Sequence, residues 1–110
     1  MDIDRVKWLP PWGPIPPETA RGLEEELAKE VAPGHELFGL PAHAVARRSD
    51  TDDVLFQVSS KSYPYVVVHL TWRGSTEIDT TWPASERYES LEHWVDTRLH
   101  TDHSNPDATR

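Results

Sequence analysis

The sequence predicts an α+β fold: a three- to four-stranded antiparallel meander with an N-terminal and a C-terminal helix (α-β-β-β-α), preceded by a proline-rich extended strap. Three observations carry this. Helical apolar spacing occurs near both ends of the chain, extended β-branched and aromatic segments lie between, and their connections are short. A parallel pair would need a crossover of about a dozen residues. The 110 residues suit one domain, divided into a lead-in at 1–17, an α+β body at 18–100 and a polar, disordered tail at 101–110.

From Pro10 to Pro17 five of eight residues are proline, which favours polyproline II with no ladder of its own. Trp8, Leu9, Trp12 and Ile15 are expected to lay this segment over the core as a strap; the alternative is an exposed ligand for an aromatic groove. Pro17 and Glu18 open a helix running to Ala32, with proline and an acid in the first turn and Pro33-Gly34 as its stop. Ala20, Leu23, Leu27 and Val31 form a narrow apolar stripe. The run Glu24-Glu25-Glu26 reads as a solvated face.

Leu37-Phe38 and Ala42–Arg48 read as extended chain broken at Gly39 and Pro41, and His35–Leu40 is a candidate fourth strand. Ser49–Asp53 is a turn, Val54–Val58 a strand, Ser59–Ser62 a second turn and Tyr63–Trp72 the strongest strand. Alternation sends Val66, Val68, Leu70 and Trp72 to the core and Tyr65, Val67, His69 and Thr71 to a mixed face. A polar loop at Arg73–Thr81 and Trp82-Pro83 follow. Ser90 is the N-cap expected for a closing helix, whose Leu91, Trp94, Val95 and Leu99 share one face.

Eleven basic against nineteen acidic residues give a net charge of -8. That repels nucleic-acid phosphates and anionic membranes and favours a basic protein as partner. With no cysteine, disulfides, thiolate catalysis and cysteine metal sites are excluded. No signal-like or membrane-length apolar run is present, and a mean hydropathy of -0.66 fits a polar surface. The expectation is a soluble, cytoplasmic protein.

The histidines His35, His43, His69, His93, His100 and His103 are the transition-metal candidates. On the closing helix Glu89, His93, Asp96, His100 and His103 fall on one side, away from the apolar stripe, so a metal site there is conceivable. Acids early and histidines late also complement the helix dipole, and that plainer reading is preferred. Asp50-Thr51-Asp52-Asp53 lacks the glycine and distal glutamate of a calcium loop and reads as a turn, with Arg47 and Arg48 placed to pair with its acids. His69 at a strand centre could form a small-ligand site with Tyr65 and Thr71, or be a structural histidine bonded to a cross-strand partner. Trp72 and Trp82 flank the polar loop, where an exposed indole could bind a sugar or aromatic ligand by stacking, and Trp82 is the better candidate for that exposed, ligand-binding position. No phosphate loop, nucleophile elbow or zinc-protease motif occurs, so no catalytic residue and no cofactor is assigned.

Gly34-His35 with Leu37 and Gly39, Ala46-Arg47-Arg48, Asp52-Asp53-Val54-Leu55-Phe56, Val67-Val68-His69-Leu70-Thr71-Trp72 and Trp82-Pro83 together resemble an uncharacterised family of small bacterial cytosolic proteins, over roughly residues 18–100. The resemblance implies a bacterial cytosolic domain and carries no activity. In size, acidity and build the chain is also similar to immunity proteins that neutralise bacterial toxins. The leading expectation is therefore a non-enzymatic interaction protein of the immunity or antitoxin kind. The alternative is a small-ligand binder or enzyme using Tyr65, His69 and Thr71.

Overall fold

The computed structural model describes residues 2–59, 63–72 and 83–104. Five strands, β1 (Trp12–Pro14), β2 (Ala42–Arg48), β3 (Asp53–Val58), β4 (Tyr65–His69) and β5 (Ala84–Tyr88), lie in sequence order, each antiparallel to the next. Short connections dictate antiparallel pairing for β2–β3 and β3–β4, and the two pairs joined by longer connections are antiparallel as well. The expected three to four strands become five. The fourth strand expected from His35–Leu40 is a series of turns, and the added strands are β1 and β5.

The proline segment is the first of these corrections. Instead of lacking a ladder it pairs Trp12, Gly13 and Pro14 with Arg48, Arg47 and Ala46. A three-residue edge strand tolerates proline because its outward amides need no partner. Strand β5 is hidden in the sequence by its polarity. Its Ser85 and Arg87 face one side and its Glu86 and Tyr88 the other, so apolar alternation is missing.

Helix α1 (Pro17–Glu30) covers one face of the sheet. Its Leu23 and Leu27, with Val31 and Leu37 beyond it, pack on Val54, Phe56, Val58, Val66, Val68 and Leu70. The opposite face is equally dry. Leu91, Trp94 and Leu99 of the closing helix, with Val6 and Trp12, cover Ala46, Leu55, Val67 and Tyr88. Trp94 meets Trp12 edge-to-face at 5.0 Å and Trp8 at 6.2 Å. Tyr65 and Val67 thus belong to a second core, and the strap covering them is mainly a helix.

One irregularity aligns these faces. Ala44 opposes Phe56 but Ala46 opposes Leu55, a bulge in β2 that swaps the side each residue faces. Ala44 therefore joins the α1 side while Ala46 joins the closing-helix side. Arg48, two residues on, is carried inward with Ala46.

The closing helix starts where expected, with the His93 N–H donating to Ser90 Oγ at 3.1 Å. It continues through residues 91–104, past Thr101 where a disordered tail was expected, and contains a π segment at Val95–Leu99 in which the His100 N–H donates to Val95 O. Among the described residues no helix is long and apolar enough to cross a membrane.

Candidate functional site

Two polar assemblies stand out, one inside the layer between sheet and closing helix, the other beneath an exposed tryptophan. The first draws a side chain from every strand. Asp102 Oδ2 accepts the Trp12 indole N–H at 2.7 Å and the Arg98 Nε–H at 2.8 Å, and lies 3.3 Å from the Arg48 guanidinium. Arg48 also donates two bonds of 2.8 Å to Asp50, and Arg98 reaches Asp53 at 3.0 Å and Glu86 at 3.3 Å. The His69 Nδ1–H donates to Asp53 Oδ1 at 2.9 Å, across the β3–β4 register. Tyr88 donates to Glu86 at 2.9 Å.

Both arginines are kept fully charged here. The bidentate bond to Asp50 dominates the upward shift of Arg48, and Asp50 is in turn held below the usual carboxylate range. Burial works to lower Arg98, but Tyr88, Asp102 and Glu86 outweigh it and raise it. Burial pushes the Tyr88 phenol up to about 12. Such a network specifies how the closing helix seats on the sheet and is costly to leave half-paired.

The second assembly sits at the end of β4, where Leu70, Thr71 and Trp72 leave the ladder. Trp72 has φ 58, a left-handed conformation that costs a bulky L-residue about 1–2 kcal/mol. The residue is 49 % exposed, although alternation sent it inward; the turn of the backbone throws it out. The fully buried Glu30 of α1 holds this turn, accepting the Thr71 N–H on Oε1 and the Trp72 N–H on Oε2, both at 2.9 Å. Burial above all, then a hydrogen bond with Glu26, pushes the Glu30 carboxyl from 4.5 up to about 6, against the pull of the two amides. Glu26, expected in a solvated run, is itself buried. Glu24 of the same run accepts the Ala44 N–H at 2.9 Å, beside the β2 bulge.

The residues expected to form a ligand site do not converge. Tyr65 is half-buried in the closing-helix core, its phenol raised by burial and by the Asp2 and Glu92 carboxylates. His69, with its side chain 38 % exposed, belongs to the inter-layer network. Thr71 belongs to the Glu30 clamp on the α1 side. Trp82 and the loop at Arg73–Thr81 lie outside the described residues.

His93, Asp96, His100 and His103 are all exposed, but His103 Nδ1–H donates to Pro10 O at 2.7 Å and the His93 ring meets Tyr88 edge-on at 5.6 Å. Among the described residues no group of three or more His, Cys, Asp or Glu is placed to hold a metal ion. His35 is buried, its Nδ1 accepting the Leu37 N–H and its Nε2–H donating to Pro83 O.

Sequence reasoning missed Glu26, Glu30, Arg98 and Asp102. A signal existed for each pair: both recur at i, i+4 beside an apolar stripe, where charged residues enter a helix–sheet interface together.

The outer face of the closing helix is acidic. The exposed positions of residues 89–104 carry Glu89, Glu92 and Asp96 and no lysine or arginine, because Arg98 points inward. A shallow groove of about 470 Å³ runs along Pro10, Pro11, Trp12, Gly13 and Pro14 to Arg47 and Ser49. Comparison with protein-family models, curated proteins and solved structures finds no match to this chain.

Proposed function

We propose that this chain is a non-enzymatic protein-interaction domain of the immunity or antitoxin kind, which docks a basic partner through Trp72. The observation that carries the reading is the indole held half-exposed on a left-handed backbone by a buried carboxylate. Strain of this type persists where surrounding structure enforces it, and it concentrates at binding and switch sites. Tryptophan is among the residues that anchor protein interfaces, and it stacks favourably under a lysine or arginine. The -8 charge supplies the long-range attraction for such a partner and disfavours nucleic acid.

A second reading, small-ligand binding or catalysis around Tyr65, His69 and Thr71, draws on the Asp53–His69 pair and its partly open imidazole. It has less support, since Thr71 serves a different site and Val67 between the others is buried.

Affinity capture with the wild type and Trp72→Gly as baits tests the proposal. Glycine accepts the left-handed turn, so the variant stays folded, its stability within about 1 kcal/mol of wild type. The expected result is a basic protein retained by the wild type, released by salt, and bound about thirtyfold more weakly by Trp72→Gly. Retention by Trp72→Gly at full affinity, or an acidic partner, overturns the reading.

A further inference from the structure

We propose that Glu30, with Glu26 beside it, is a proton-operated latch on Trp72: the ionised carboxylate holds the Thr71 and Trp72 amides and presents the indole, and a proton on the pair releases them. The inference names the regulation of the docking site and rests on the reading of Trp72 as its anchor.

The geometry comes first. Each Glu30 oxygen accepts one amide, so both oxygens of the carboxylate are engaged. A protonated carboxyl turns one oxygen into a hydroxyl, a donor and a poorer acceptor, and the bond to one of the two amides is weakened. Trp72 is the amide with least reason to stay, because its left-handed φ of 58 is unfavourable without a restraint. Release lets the backbone relax to an ordinary conformation and withdraws the indole from its fixed position.

Glu26 supplies the receiver for the proton. It lies one turn earlier on α1, is buried, and shares a hydrogen bond with Glu30. Two adjacent buried carboxylates resist double ionisation, and a shared proton is the usual outcome. Among the described residues the other elements bring little that titrates. Thr71 and Trp72 contribute backbone amides and Thr71 its hydroxyl, which favours the ionised carboxylate; Lys29 is exposed, and His35 on the turn after α1 has its ring nitrogens engaged by Leu37 and Pro83. The balance falls in a physiological range, since Glu30 is raised to about 6.

The latch is read without any partner, by following the amide protons of Thr71 and Trp72 in ¹⁵N NMR spectra of the whole chain. As pH falls from about 7 to 5, both resonances should move upfield together with one midpoint near 6, and the protection factor of the Trp72 amide should drop about tenfold. Glu26→Gln should shift the midpoint downward, and Glu30→Gln should abolish the step. Amides that stay flat through this range, or a step that survives Glu30→Gln, overturn the latch. If Glu30→Gln fails to fold, the wild-type titration and Glu26→Gln decide. A failed capture experiment with a normal titration would remove the docking reading and leave the latch; the reverse pair of results would do the opposite.

Discussion

Asp102 is a small side chain with a large responsibility: it receives Trp12, Arg98 and Arg48 at once. Removing it would leave the Trp12 indole N–H without its acceptor and take one of several carboxylate partners from each of two buried guanidiniums. Asp102→Ala is therefore expected to destabilise the fold by about 2–3 kcal/mol, read as a lowered urea midpoint at unchanged slope. A neutral variant at exposed Asp96 should change the midpoint little. The sequence makes the Arg48–Asp50 pairing legible, since an arginine before an acidic turn invites it. It does not reveal that this pair is buried. Which of Arg47 and Arg48 enters the interior depends on the bulge in β2, and a bulge leaves no mark in composition. For His69 the plainer of two expectations matches the geometry, a bond to Asp53 directly across the strand pair. Trp72 shows the opposite case: alternation holds while a strand lasts, and here it ends at His69.

At the level of elements, what was legible is what repeats. The α1 stripe, the Ser90 cap and the closing-helix face follow from spacing, and the structure places them accordingly. Ser90→Ala should cost about 1 kcal/mol, measurable by thermal or chemical denaturation, because the His93 amide loses its acceptor. The two edge strands were illegible for different reasons. Prolines argue against β1 by propensity, yet its inward amide still reaches the neighbouring strand. In β5 the exposed Glu86 and the buried Tyr88 share a face and serve a polar network, so the strand lacks the apolar alternation that announces a buried face. The π segment at Val95–Leu99 is likewise silent in the sequence. It keeps Arg98, Leu99 and Asp102 on the stripe begun by Leu91 and Trp94.

For the whole molecule, Glu30 sets an unusual pH dependence. Its folded value of about 6 lies above the ordinary 4.5, so the folded state binds the proton more tightly than the unfolded chain. The stability this contributes is complete below 4.5 and is lost as pH rises through 6. The step corresponds to about 2 kcal/mol. Asp50, held low by Arg48, acts in the opposite sense: its contribution is present above its ordinary 3.8 and disappears as pH falls through its lower folded value. Stability should peak between these windows. Urea midpoints of the wild type should rise from about pH 7.5 toward 5, and those of Glu30→Gln should stay level. None of this is visible in a charge count, where Glu26 and Glu30 look like ordinary members of an acidic helix.

The short, proline-bounded strand at one margin of the sheet has a consequence for how these molecules meet. A bare β-edge is an invitation to polymerise, because its free amides can template the next chain. Here that margin spans three residues, ends in Pro14 and is approached through Pro10 and Pro11. It offers an incoming strand almost no ladder to read. Growth of the sheet from one copy to the next is closed in that direction, and sheet-to-sheet association, if it occurs through the described strands, is steered to the β5 side. Crowded acidic chains of this kind are thus kept apart by mutual repulsion and, along β1 alone, by an edge with almost no ladder to copy.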